Sequence, residues 1–158
     1  MKKIILIIFF PINSLFAYEV TCNFEEVYQN SEIQQGVFLI KDEMMRYQYY
    51  NQDLFTIIAK NKKYFLIKND SKIVQKLNEK TDVIDTLREI ALDFPKLKNT
   101  YKKNNLVIKI EKSIDKFIKR VSINSDEVNL SINVINCKFN GIENKYFNHF
   151  NFVEYDGW

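Results

Sequence analysis

This chain of 158 residues is short of the residue types that build most catalytic and nucleic-acid sites. It has one histidine, His149, and three glycines, so neither a histidine relay nor a glycine-rich loop cradling phosphate can be assembled from it. Two prolines and no low-complexity stretch leave no linker to divide it. Arginine occurs only at positions 46, 88 and 120, and the many lysines are scattered among acids and asparagines. That spread argues against a groove tracking phosphates and for a solvated face, so no nucleic-acid partner is expected. The carboxylate pairs Glu25-Glu26 and Asp42-Glu43 are adjacent, and neighbours on a strand point to opposite faces and cannot share a proton. No metal-ligand spacing is present. The expectation is a protein that is not an enzyme and needs no cofactor or metal.

Long apolar runs are also missing. The only candidate, Ile4 to Phe10, follows Lys2 and Lys3 and is broken by Pro11, with the small Ala17 beyond. It falls far short of the roughly 20 residues of a membrane span and has the layout of a secretory signal peptide cleaved near Ala17. Thr21 and Glu19 stand where a lipid-attachment motif before Cys22 would need small and aliphatic residues. Residues 1–17 thus read as a leader and 18–158 as a single exported domain, with periplasmic localisation. The formal charge of +3 would fall to +1 once Lys2 and Lys3 are removed. The two cysteines, Cys22 and Cys137, either pair across the exported chain or stay as buried thiols. Spacing alone does not decide between them.

What is abundant is β pattern. Strands are expected over Val20–Gln29, Ile33–Asp42, Met44–Tyr50, Leu54–Ala59, Lys63–Ile67 and Ile73–Leu77, with Lys60-Asn61-Lys62 as a tight turn. The period then changes. In "TDVIDTLREIALDF", Val83, Ile84, Leu87, Ile90, Ala91 and Phe94 share one helical face opposite Asp85, Arg88 and Glu89, and Pro95 ends the helix. Strands return at Leu106–Glu111, Phe117–Ile123 and Val128–Cys137. In the last of these Val128, Leu130, Ile132 and Val134 alternate cleanly with Asn129, Ser131 and Asn133, so one face is wet. The early strands are apolar or aromatic on both faces: Phe38 and Ile40 on one side, Val37 and Leu39 on the other, then Met44, Met45, Tyr47, Tyr49 and Tyr50. One helix cannot cover both faces of such a sheet. A curved sheet whose concave side lines an apolar cavity therefore stands beside ordinary two-sided packing.

The segments "VTCNFEEV", "GVFLIKDEMMRYQYY" and "FTIIAKNKKYFLIKNDSKIVQKL", with the ending "INVINCKFNGIENKYFNHFNF", resemble the periplasmic outer-membrane lipoprotein carrier family (LolA-like) over most of Val20–Phe152. The resemblance implies a mainly β fold: a curved antiparallel sheet forming an incomplete β-barrel with a helical lid, closing on a Phe-rich final strand. It implies a monomer that takes acylated lipoproteins from an inner-membrane ABC exporter to an outer-membrane receptor. An outer-membrane acceptor of the same fold, or an envelope interaction domain without cargo, are the alternatives. With strand and helix parity it places Phe38, Ile40, Met45, Tyr47, Tyr49, Ile58, Phe65, Leu87, Ile90 and Ala91 around acyl chains. Two features depart from the family. No helix precedes the first strand, and Lys41-Asp42-Glu43 replaces Lys-Arg-Pro, which removes an arginine tied to lid closure and leaves Arg46 as the candidate lid contact.

Overall fold

The structure is a computed structural model that describes residues 19–77, 82–93, 96–114, 117–126, 128–139 and 141–155, with backbone alone for Arg88 and Ala91. Residues 1–17, read from the sequence as a leader, and Thr81, Phe94 and Pro95 lie outside the described residues. Ten strands form one antiparallel sheet: β1 (Glu19–Tyr28), β2 (Ile33–Lys41), β3 (Met44–Tyr49), β4 (Phe55–Lys60), β5 (Lys63–Lys68), β6 (Val74–Leu77), β7 (Thr100–Lys103), β8 (Leu106–Lys112), β9 (Ile118–Asn124) and β10 (Asn129–Lys138). The spatial order is β6-β5-β4-β3-β2-β1-β10-β9-β8-β7, and the sheet is not closed. Two meanders of hairpins thus meet where β1 pairs with β10. The tight turns use the left-handed residues that such hairpins require, Asn61 and Lys62 at φ 50° and 59° among them.

The strands fall close to their expected places, and β7 is the one that the sequence did not announce. It is a four-residue edge strand, "TYKK", with only Tyr101 buried, too short to show alternation. Lysines suit an edge, where they discourage further strand pairing. At the other end of the chain, the Phe-rich final strand that the resemblance implied is absent from the described residues. A 3₁₀ turn at Asn144–Phe147 and irregular chain to Tyr155 stand there instead.

Cys22 and Cys137, which face each other directly in the β1–β10 pairing, are joined by a disulfide. The bridge ties the seam between the two meanders and closes a loop of 115 residues in sequence separation. In the chain-entropy account such a loop contributes on the order of 4 kcal/mol.

Between β6 and β7, the two free edges, runs α1 (Asp82–Asp93), the one α-helix among the described residues. A connection from one edge of an open sheet to the other must cross a face, and α1 crosses the face that carries Phe24, Tyr47, Ile108, Val121 and Ile132. Ile90 is buried there, with Val83 and Leu87 packed against the same cluster. Side chains from β3 and β9, four positions apart in the sheet, enclose a common space with the helix. With strands about 4.8 Å apart, a flat sheet would hold them too far away, so this face is concave.

Gly36 explains how the aromatic interior fits. Paired between Phe24 and Tyr49, it lets the Phe24 ring lie across β2. A Cβ there would sit 2.1 Å from the Gln48 carbonyl oxygen and 2.5 Å from the Phe24 ring. Gly36→Val should therefore cost at least about 3 kcal/mol, in the range of severe core overpacking. Urea unfolding checks this, and an unchanged midpoint would contradict the assigned packing.

Candidate functional site: an apolar hollow under the helix

Phe38 and Ile40 of β2, Met45 and Tyr47 of β3, Leu87 and Ile90 of α1, Ile118 and Val121 of β9, and Ile132 and Val134 of β10 enclose a hollow of about 60 Å³. The register sets this up: Phe38 pairs with Tyr47 and Ile40 with Met45, so period-2 alternation turns all four to the concave side. From the other meander Ile132 pairs with Val121. The lining is aliphatic and aromatic, and Tyr47 offers it only a ring. As it stands, the space equals the share of about two waters in the liquid.

One end of the hollow is walled by a polar aromatic cluster. Phe24 stacks on Tyr47 with ring centroids 4.2 Å apart and meets Tyr49 edge-on at 5.8 Å. Three hydroxyls converge on the buried Glu26 carboxyl: Tyr47 donates at 2.5 Å, Tyr28 at 2.7 Å and Tyr49 at 2.8 Å. Burial, then the Glu26 charge, pushes the Tyr47 and Tyr49 hydroxyls well up and that of Tyr28 to about 12. All three stay protonated as donors across the ordinary pH range. Tyr49 thus shares the concave face but belongs to this wall, packed on Phe24, Tyr47 and Phe55.

Three assignments made from the sequence are corrected. Ile58 pairs with Arg46 and Phe65 with Ile58, and Arg46 pairs with Leu39, so Ile58, Phe65 and Arg46 all point to the opposite, convex face. Parity was misjudged for β4, where Ile57 and Ala59 face inward with Tyr47 and Met45. Arg46 does not touch the helix. It is fully buried beneath the C-terminal segment, where its Nε donates to Gln48 Oε1 at 3.0 Å and its Nη1 to the Tyr146 carbonyl at 2.7 Å. The Phe152 ring lies 4.7 Å from the guanidinium. Burial pulls the Arg46 pKa down to about 10. Nearby, Val37, Leu39, Ile142, Phe147 and Tyr155 form a second core. The Ala91 side chain lies outside what is described.

The helix is held over the hollow by its acids. Asp85 accepts from Tyr64 of β5 at 2.9 Å and from Lys103 of β7 at 3.1 Å, so one carboxylate bridges strands near both free edges. Asp82 adds Lys103 at 3.3 Å and Asn104 at 2.8 Å. Lys98 meets Glu89 and Asp93, and Tyr101 donates to Asp93 at 2.9 Å. Most of these groups are partly exposed, and such pairs contribute about 1 kcal/mol or less each. Among the described residues no cluster of three metal-ligating side chains occurs, and no helix is long and apolar enough to cross a membrane.

The sequence missed Ile118, Val121, Ile132 and Val134 as lining residues. The alternation around Ile132 and Val134 marks a buried face, yet nothing local says that this face closes onto β3.

No family model and no curated protein matches the chain. Among solved structures it is similar to the crystal structure of a LolA superfamily protein from Nitrosomonas europaea, at 8% identity and a TM-score of 0.39, over 84% of this chain and 90% of that one.

Arg46→Met keeps much of the volume but leaves the Tyr146 carbonyl without its Arg46 donor and Gln48 Oε1 with the Tyr155 amide alone. A loss of about 2–4 kcal/mol follows, with faster amide exchange concentrated in residues 141–155. Acceleration in α1 instead would mean that Arg46 does serve the lid.

Proposed function

We propose that the protein is a periplasmic carrier that shields acyl chains of lipoproteins in the concave hollow, with α1 as its lid. The observation that supports this most is an apolar space between sheet and helix, closed by a helix held through solvent-exposed ion pairs. The hollow is too small for an acyl chain while α1 is docked, so loading must move the helix. Its stripe of Val83, Ile84, Leu87 and Ile90 occupies the place that the chain would take.

This exchange sets the energetics. Each methylene buried is worth about 0.8 kcal/mol, but the ligand displaces side chains that were already buried, so only the difference appears as affinity. Modest affinity suits a protein that must hand its cargo on. In this reading cargo arrives from an inner-membrane ABC exporter and leaves to an outer-membrane receptor, and the chain works as a monomer.

The near-filled hollow favours a second reading, in which α1 is permanent core and the domain carries no cargo. Titration with a fluorescent fatty-acyl probe distinguishes them. Saturable binding is expected, weakened about tenfold by Val134→Phe, which takes the room of roughly two methylenes. Absence of saturable binding by the wild-type chain sinks the carrier reading.

The lid has its own test. Amide exchange across residues 83–92 should change when the probe binds, and Asp85→Ala, which removes the clasp between the two edges, should speed probe uptake at a stability cost of about 1–2 kcal/mol. Identical protection with and without probe would make α1 a core helix.

A further inference from the structure

A second open space lies on the convex face, away from the hollow. It is a groove of about 620 Å³ lined by Lys60, Lys63, Phe65, Lys76, Lys145, His149 and Phe150 together with asparagines, and among the described residues no carboxylate lines it. The β4–β5 hairpin supplies Lys60 and Lys63 around its left-handed Asn61-Lys62 tip, β6 supplies Lys76 opposite Phe65, and the C-terminal segment supplies the rest. Glu143 reaches Lys145 at 2.8 Å, while no ion pair is present at Lys60, Lys63 or Lys76 among the described residues. Burial, then Lys60 and Lys63, lowers the His149 pKa, as a field of positive sign requires. The β2–β3 tip, between Lys41 and Met44, carries Asp42 and Glu43.

The aromatic part is built, not incidental. His149 stacks flat on Phe65 with centroids 3.5 Å apart and an 11° tilt. The Asn148 side chain accepts from the Phe150 and Asn151 amides at 3.0 and 3.3 Å, a local turn that leaves Phe150 85% exposed. The exposed phenyl ring would gain by leaving water, and Lys60, Lys63 and Lys76, with no ion pair among the described residues, are open to an anionic partner. This combination suits a bilayer interface, where the ring enters the headgroup region and each lysine near an anionic surface adds about 1 kcal/mol.

We propose that this convex groove docks the protein on an anionic bilayer surface, with Lys60, Lys63 and Lys76 taking headgroup phosphates and Phe150 inserting between them. The docked face is opposite the acyl hollow, so membrane contact leaves α1 free to move.

The test is co-sedimentation of the full chain with phosphatidylglycerol-rich vesicles and with pure phosphatidylcholine vesicles at low salt. Binding to the first alone is expected, lost at high salt, weakened more than about tenfold by the triple change Lys60→Gln, Lys63→Gln, Lys76→Gln, and about tenfold by Phe150→Ser. Phe150 is exposed, so that variant should fold. Val134→Phe should sediment as the wild type does, which separates this face from the hollow: failure of acyl-probe binding leaves this result standing, and the reverse holds too. Equal sedimentation of the triple variant, no vesicle binding by the wild type, or capture of an acidic polyglutamate peptide in place of vesicles would each overturn the proposal.

Discussion

The structure depends on one topological constraint: β1 lies beside β10, so the chain must travel from the free edge at β6 to the free edge at β7 in the residues between Leu77 and Thr100. That journey crosses the sheet. A crossing segment over an apolar face must itself be apolar on one side, which is what the period of α1 provides. Curvature follows from the same requirement, because a 12-residue helix is only about 18 Å long and a flat sheet of ten strands is far wider. Asp85, touching Tyr64 near one edge and Lys103 at the other, marks how closely the edges approach.

The apolar character of both faces of the early strands has two answers, not one. The concave face meets the helix and the hollow. The convex face of β2 to β5 meets the chain's own end, where Lys41 donates to the Ile142 carbonyl at 2.6 Å, Glu19 pairs with Lys41 at 3.0 Å and accepts from the Ile142 amide, and Arg46 holds Tyr146. The backbone hydrogen bond from Ile142, and then Lys41, holds the Glu19 carboxyl below its usual range. An irregular segment has few backbone partners of its own, so it is secured by side chains that reach its carbonyls and amides. Arg46 supplies one such anchor directly, and Gln48, held by Arg46, supplies a second by accepting from the Tyr155 amide at 3.3 Å.

Most of the sheet was legible because strand period is a local signal. The helix was legible for the same reason. Sidedness was less so: within "LFTIIAK" both Ile57 and Ile58 are apolar, and only the pairing partners decide that Ile57 joins Tyr47 while Ile58 joins Arg46. The role of Arg46 was misread because a buried guanidinium leaves no trace in composition, and the Tyr146 carbonyl it holds lies 100 residues away in sequence. The lining from β9 and β10 was illegible in a different way. It arises from closure of the sheet, a property of the whole chain that no window of sequence contains.

The two faces also differ in how they can change. On the convex side the segment 141–155 is fixed by charged donors whose removal leaves buried oxygens without partners, a large and all-or-none penalty. On the concave side α1 is fixed by half-buried aliphatic residues and by ion pairs open to water, each worth little and each replaceable by solvent. The proposed lid motion therefore falls on α1, whose tethers are partly exposed ion pairs and hydrogen bonds and whose apolar stripe another apolar chain would replace. In the proposed carrier, binding and release would alter the helix while the sheet, stapled at its β1–β10 seam by Cys22 and Cys137, would keep its register.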